Sequence, residues 1–387
     1  DSRKLGLQLQ HARKQRGMNQ EAAASIIGVV RTTIVAIEKG ERKVKPDELI
    51  KLARAYGRSV SDFVSQRPEI QPFEVQFRGF LGRNDKEEEQ IKLLIDKWQE
   101  FCRNYLELEE IVGTGLARNY PVKYQTGNLP IERTAESIAI SERNRLGLGD
   151  GPIHSLRDIL EQEVGLRIFY LEMPRRFSEM YAYDERLGGC LAINANHPKE
   201  RQRWSLAHGY LHFLAHRYKA IYHFDKQYQR VPPSERLAEA FPKYFLMPTS
   251  NLLKHFVAYR EKGKFTPADL CTIAHYYGVS VEAMVLRLEE LELLPTGTWD
   301  KLRDRGFKIR EARSELGLQE VDERTDQFPL QYQHLAIEAF DLGLITEGRF
   351  AGLLGVDRLE ARRIAEVLRE HSSGLTEGAI DIDLAQA

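Results

Sequence analysis

The sequence predicts a mainly helical α+β protein that contains one small β-sheet. Apolar residues recur at helical spacing through residues 1–65 and through nearly the whole chain from Pro267 onward. Between these regions, short runs rich in branched and aromatic residues are typical of strands, namely Leu166–Leu171, Met180–Tyr183 and Cys190–Ile193. Long helical regions that flank a few strands indicate the α+β class.

The composition is that of a globular protein and argues against several other classes. Of the 387 residues, 42% are hydrophobic and 29% are charged, which is close to average usage. No run approaches the roughly 20 apolar residues of a membrane helix, and the polar stretch from Arg3 to Arg16 lacks the apolar segment of a signal peptide. The three cysteines, Cys102, Cys190 and Cys271, form no CxxC pair, which argues against a disulfide framework. We therefore expect a cytoplasmic protein with no membrane partner.

Charge is distributed unevenly along the chain. Residues 1–63 contain thirteen Lys and Arg against seven Asp and Glu, a net charge of +6. Because the whole chain carries −1, the remainder carries −7. A basic head on an acidic chain predicts that the head meets a polyanion.

Hydrophobic periodicity and the positions of turn residues predict four regions. They are a helical head (1–65), a connector with a long charged helix (66–130), a mixed region (131–260) and a helical C-terminal region (261–387). In the head, short helices are predicted at Leu5–Gln15, from Gln20 to Ile27, at Arg31–Lys39 and from Pro46. Asn19 suits the cap of the second helix, and Gly28 separates that helix from the third.

The remaining helices follow from the same periodicity. They are predicted at Asp85–Leu108, Ile131–Arg145, Ser155–Glu163 and Lys199–Arg217, and from Ser234 towards Leu246. Pro242 predicts a kink or break in the last of these. Segments 267–291 and 349–368 each join two short helices at a Gly corner; we expect the acidic first one to pack, whereas auxiliary DNA contact and packing both remain open for the second.

The second and third helices of the head form a helix-turn-helix pattern, whose second helix enters the DNA major groove. Arg31 suits a guanine edge or a phosphate, while Thr32 and Thr33 suit a phosphate or a thymine methyl. Gln20 starts the preceding helix and is placed to reach the DNA backbone. Further phosphate contacts are predicted for Arg42, Lys43 and Lys45. The alternative is a protein-interaction module with a solvated basic face.

Residues 5–63 resemble the Cro/cI (XRE) helix-turn-helix family. The resemblance is carried by Arg13–Glu21, Gly28–Ile34 and Ile37–Arg42. It implies a lambda-repressor-like fold, double-stranded operator DNA as partner, and a homodimer, because one such head reads a half-site. Val30 departs from the pattern, because the family often has a capping Ser there; a weaker cap costs about 1 kcal/mol.

A second motif places two histidines one helical turn apart. His208 and His212 lie on one helix face, so both imidazoles can bind one metal ion. Glu235 is a candidate third ligand, and Glu239, one turn later, is a candidate to hold a ligand imidazole. In metallopeptidases of this pattern glutamate follows the first histidine as general base, whereas this chain has Gly209. Two histidines on an apolar helix are also common as purely structural residues.

The surrounding segments resemble the ImmA/IrrE metallopeptidase family over roughly residues 131–295. The matching segments are 146–153, 193–208, 235–248 and 279–288. The resemblance implies a zincin-like fold, with zinc held by His208, His212 and Glu235. It also implies a repressor as substrate, either the chain's own linker around 64–80 or a partner protein. An edge strand is expected to align an extended peptide, formed by Cys190, Leu191, Ala192, Ile193 and Asn194.

Gly209 leaves the enzymatic role open. Without a positioned proton acceptor, hydrolysis loses about 10²–10⁴-fold or more in rate. One interpretation is a DNA-binding transcriptional regulator that binds zinc and does not cleave. The other is an inactivated copy of a zinc metalloendopeptidase that cleaves a repressor or its own linker. A third, weaker interpretation is an antitoxin-like protein that binds a partner.

Overall fold

A computed structural model describes residues 2–57, 60, 63, 70, 73, 85–127, 130–219, 221–224, 232–261, 263–319 and 323–373. The chain divides into two compact units, Asp1–Glu69 and Ile70–Ala387. The predicted α+β class is confirmed, because helices and one small sheet account for the regular structure of the described residues. The linker around 64–80 lies outside the described residues apart from 70 and 73.

The first unit is a helical head with the predicted helix-turn-helix. Its helices are α1 (Ser2–Gln15), α2 (Gln20–Ile27), α3 (Arg31–Glu38) and α4 (Pro46–Ala55). Asn19 caps α2 as predicted, since its side-chain oxygen accepts a hydrogen bond from the backbone N–H of Ala22 at 2.8 Å. Gly28 ends α2 with φ 71°, a left-handed conformation that favours glycine. Val30 precedes α3 and makes no side-chain capping bond.

A buried ion pair joins α1 to α3 in the head. Nε of Arg13 lies 2.5 Å from Oε1 of Glu38, and Nη2 of Arg13 lies 3.0 Å from Oε2. Gln20 also donates to Oε2 of Glu38 at 2.9 Å. Both members of the pair are buried, so the contact fixes how α1, α2 and α3 pack on one another.

The second unit is organised around a four-stranded sheet. Its strands are β1 (Arg167–Leu171), β2 (Phe177–Asp184), β3 (Gly188–Asn194) and β4 (Ile221–Phe224). Their spatial order is β1-β3-β2-β4, with β1 parallel to β3 and the other pairs antiparallel. The first strand was predicted one residue too long and the next two were predicted with shorter bounds, whereas β4 was missed.

The predicted edge strand lies inside the sheet, so that prediction is wrong. Leu191, for example, is paired with Ile168 of β1 on one side and with Tyr181 of β2 on the other. Every residue of β3 is buried, and a continuous apolar run is typical of an interior strand. An added peptide strand therefore cannot pair with any of Cys190, Leu191, Ala192, Ile193 and Asn194.

Helices cover the sheet. They are α5 (Asp85–Val112), α6 (Ile131–Arg145), α7 (Leu156–Ile159, continued by a π-helical turn at Leu160–Val164), α8 (Lys199–Ala215), α9 (Pro233–Leu246), α10 (Thr249–Glu261), α11 (Pro267–Tyr277), α12 (Val281–Glu290), α13 (Thr298–Asp304), α14 (Ile309–Glu315), α15 (Leu330–Asp341), α16 (Glu347–Leu354) and α17 (Arg358–Ser373). The predicted break at Pro242 does not occur, because α9 continues to Leu246 through a buried segment whose packing outweighs the missing hydrogen bond. Among the described residues no single helix is long and apolar enough to cross a membrane, although Gln20–Ile27 and Arg31–Glu38 pass that test as a bent pair.

Alternating strand residues build two cores, as the two-residue period of a strand requires. Leu191 and Ile193 belong to a core with α8, α9, α11 and α12. Cys190 and Ala192 belong to a second core with α5, α15 and α16. The predicted packing of segment 267–291 is confirmed, since its buried residues join the first core. Phe350 of segment 349–368 is buried in the second core, which favours packing for that segment.

Candidate metal centre and nucleic-acid interface

The fold brings the three predicted metal ligands together. His208 and His212 lie one turn apart on α8, and Glu235 lies in the first turn of α9. One donor atom from each lies within 4.8 Å of the others. Oε2 of Glu235 is 3.8 Å from Nε2 of His208 and 3.7 Å from Nε2 of His212. All three side chains are buried, so the donor atoms converge away from bulk water.

The local sequence explains this convergence. Helix α8 is buried along nearly its whole length from Ser205 to Ala215, so its histidines face neighbouring elements rather than solvent. Helix α9 begins with Pro233 at its first position, a residue preorganised for a helix start. Because α8 and α9 pack together, the first turn of α9 delivers Glu235 to the histidines.

The donor set fits a zinc ion. Two imidazoles and one carboxylate are a common catalytic zinc set. Nε2 of His212 is buried and has no hydrogen-bond partner among the described residues. Burial lowers the pKa of His212, which favours the neutral imidazole that a metal requires. Nδ1 of the same ring lies 3.2 Å from Nδ1 of His216, so Nε2 is the nitrogen left to face the cluster.

Glu179 is a functional residue that the sequence reasoning missed. It lies on β2, is 2% exposed, and its Oε1 contacts Nδ1 of His208 in a hydrogen-bonded pair. A carboxylate on one imidazole nitrogen fixes the tautomer and directs the other nitrogen towards a metal. The available signal was a glutamate directly before the apolar run Met180–Tyr183.

The prediction that Glu239 holds a ligand imidazole is wrong. Glu239 is exposed and lines a cavity outside the cluster. The imidazole nitrogen of His208 that needs a partner meets β2, and the sheet supplies Glu179 there. Spacing along α9 alone could not reveal a partner that belongs to a strand.

Gly209 lies against the sheet. A Cβ atom at this position would overlap Cδ2 of Leu191, and it would lie 3.6 Å from Oε1 of Glu179. Leu191 is fully buried, so a side chain at position 209 requires it to change rotamer within a packed core. The space beside the glycine is thus filled by this chain's own residues.

The predicted DNA-contacting residues meet at the start of α3. Arg31 and Thr32 are exposed. Nε of Arg31 donates to Oε1 of Gln20 at 3.3 Å, so Gln20 orients Arg31 from the preceding helix. Thr33 is half-buried on the next position of α3.

The three basic residues that follow α3 differ in their surroundings. Lys43 and Lys45 are exposed. Arg42 forms a two-bond ion pair with Glu48, at 3.0 and 2.8 Å, and this hydrogen bonding raises the pKa of Arg42. Of the three, the lysines therefore offer the charges most accessible to a phosphate.

Comparison with known proteins identifies both parts of the chain. Residues 9–63 match a family model described as helix-turn-helix, and residues 161–289 match one described as IrrE N-terminal-like domain. The solved structures include the apo form of ComR from S. thermophilus, which is 12% identical, with 98% of this chain and 100% of that chain covered and a TM-score of 0.15. No curated protein gives a significant match.

Two domain classes are therefore present, a helix-turn-helix domain of the XRE type and an IrrE-like metallopeptidase domain. The chain is a fusion of these two, as the resemblances predicted. His208, His212, Glu235 and Glu179 all fall inside the IrrE-like segment.

Proposed function

We propose that the protein is a DNA-binding transcriptional regulator whose IrrE-like domain binds zinc without cleaving peptide bonds. The observation that carries the proposal is the buried cluster of His208, His212 and Glu235 combined with glycine, which has no general base, at position 209. The head supplies DNA binding, and the second unit supplies the sensing domain.

Operator binding is supported by the charge and geometry of the head. The exposed start of α3 presents Arg31 and Thr32, and Lys43 and Lys45 add positive charge beyond the helix. The head has a formal charge of +6 over residues 1–63. We propose binding as a homodimer in the cytoplasm, because one helix-turn-helix head reads a half-site and two heads read a symmetric operator.

Zinc binding is supported by the donor set. His208, His212 and Glu235 would hold the ion, and Glu179 would keep the ring of His208 oriented. When bound, zinc supplies a Lewis acid that lowers the pKa of a coordinated water. The chain has no carboxylate at position 209 to serve as a general base, and Oε1 of Glu179 is engaged by Nδ1 of His208.

Gly209 fits both a natural regulator and an inactivated enzyme. A Cβ at this position meets the end of the flexible Leu191 side chain, and that end can shift to make room for glutamate. The second candidate function, a zinc metalloendopeptidase that acts on a repressor or on its own linker, is favoured by the intact ligand geometry alone.

The test compares the chain as written with Gly209→Glu, both loaded with zinc. Mass spectrometry follows cleavage of the chain with and without DNA. We expect both proteins to bind zinc and neither to cleave. Oε1 of Glu179 lies 3.6 Å from the Cβ position of residue 209, and a second carboxylate beside a buried one is disfavoured. Cleavage by Gly209→Glu alone would favour the inactivated enzyme, and cleavage by the chain as written would refute the proposal.

A further inference from the structure

A large cavity opens on the same two helices that form the metal cluster. Its volume is about 1190 Å³, and its walls come from the starts of α6 and α8, from α9 and from α12. Trp204 lines it one turn before His208, and Arg236 lines it next to Glu235. The cavity and the cluster therefore share the framework of α8 and α9.

Size argues against a small metabolite as the occupant. Sites for drug-sized molecules span about 300–1,000 Å³, and this cavity is larger. A ligand that fills it needs the dimensions of several linked residues.

The lining is amphipathic and carries both signs of charge. Trp204, Ala283 and Leu286 give it apolar surface, and Leu286 is 49% exposed. Four basic residues and five glutamates also line it. Lys243 pairs with Glu132 and Glu290, and Arg313 pairs with Glu200. The lining therefore has no surplus of positive charge for a polyanion, whereas a ligand with N–H donors, carbonyl acceptors and apolar side chains suits all of these surfaces.

Arg287 is a buried charged residue in the wall of the cavity. It is 3% exposed, donates to Glu290 at 2.9 Å and to Thr249 at 2.7 Å, and stacks over the ring of Tyr244 at 4.6 Å. These contacts hold Arg287 in one position at the wall of the cavity. Its positive charge suits a carbonyl or carboxylate oxygen of a bound molecule.

We propose that this cavity binds a short peptide that is retained and not cleaved, with apolar side chains against Trp204 and Leu286 and an oxygen acceptor towards Arg287. The proposal rests on the proposed regulatory function, in which the IrrE-like domain senses a ligand. In this proposal the peptide is the signal that the regulator senses. Helix α8 then contributes residues both to the peptide site and to the metal site.

The test is affinity selection of a synthetic heptapeptide library on the full zinc-treated chain, read by mass spectrometry. Leu286→Asp places another acid in the cavity at an exposed position, and Ala283→Trp fills the cavity. The matched control is Leu253→Asp, at a position that is 38% exposed on α10 and outside the cavity. Free-acid and C-terminally amidated libraries distinguish a carboxylate from a backbone carbonyl as the acceptor.

We expect a set of peptides to be retained by the chain as written and by Leu253→Asp, and to fall about tenfold in Leu286→Asp and in Ala283→Trp. Equal retention by all four proteins, or retention by none, would overturn the proposal. Zinc content and DNA binding are measured on the same samples. If the chain as written retains no peptide but binds zinc and DNA, only the peptide site is refuted, whereas a chain that binds neither zinc nor DNA refutes the proposed function.

Discussion

The two units each bury a polar cluster, and they complete it in opposite ways. In the head, the carboxylate of Glu38 is met by Arg13 and Gln20 at hydrogen-bond distance. In the IrrE-like domain, Oε2 of Glu235 lies 3.8 Å from Nε2 of His208 and 3.7 Å from Nε2 of His212, and the three donor atoms lie within 4.8 Å of one another. The first cluster is closed by its own side chains, and the second leaves room for an ion at its centre.

This difference separates a cluster that stabilises a fold from one that binds. A buried pair with matched donors needs nothing from outside. Nε2 of His212 is buried without a hydrogen-bond partner among the described residues, and such a burial is costly unless a ligand completes it. The comparison therefore predicts that the head loses stability when its cluster is broken, whereas the second domain loses metal affinity.

The largest effect is expected for Arg13→Ala. It leaves Glu38 charged and buried without its main partner, so the head should lose about 3–5 kcal/mol of stability. Amide hydrogen exchange of α1 to α3 measures this loss, with Arg3→Ala, at an exposed position near the start of α1, as the control. Unchanged exchange in Arg13→Ala would show that the ion pair does not hold the head together.

Glu179→Ala should lower zinc affinity about 10–100-fold, because a partner of a ligand imidazole is lost. Glu179→Gln keeps an acceptor oxygen and should lose less. Competition with a chelator of known affinity gives the values, and Glu172→Gln, an exposed acid just after β1, is the control. If Glu172→Gln lowered zinc affinity as much as Glu179→Ala, Glu179 would have no specific role in positioning His208.

Smaller and opposite effects are expected at two helix starts in the head. Asn19→Ala removes an observed capping bond and should destabilise α2 by about 1 kcal/mol. Val30→Ser adds a capping oxygen where none bonds now, and it should stabilise α3 by a similar amount, about 1 kcal/mol. Hydrogen exchange at the first turns of α2 and α3 reads both, and shifts of the same sign would contradict the capping account.

Acid should weaken the head through Glu38. Burial raises the pKa of Glu38, but hydrogen bonds from Arg13 and Gln20 outweigh burial and leave the pKa below its ordinary value. A carboxyl with a lowered folded-state pKa contributes stability above its unfolded pKa, roughly 4.3, and this contribution is lost as pH falls through the lower folded value. Head stability measured between neutral and acid pH should fall less steeply in Glu38→Gln; an identical slope would exclude Glu38 as the titrating group.

Local spacing predicted much of this molecule. Features that depend on a few consecutive residues have the predicted geometry. They are the one-turn spacing of His208 and His212, the cap at Asn19 and the helix-turn-helix. Contacts between segments that are distant in the sequence could not be predicted from local patterns. The interior place of β3 depends on which strands lie beside it, and Glu179 reaches His208 only because β2 packs against α8.

The most direct test of the central claim is native mass spectrometry of the zinc-treated chain beside His212→Ala, with operator affinity measured on both proteins. His154→Ala, an exposed histidine, is the control. The account predicts one zinc per chain as written and in His154→Ala, none in His212→Ala, and the same DNA affinity in all three. Zinc retained in His212→Ala, or no zinc bound by the chain as written, would contradict the metal centre.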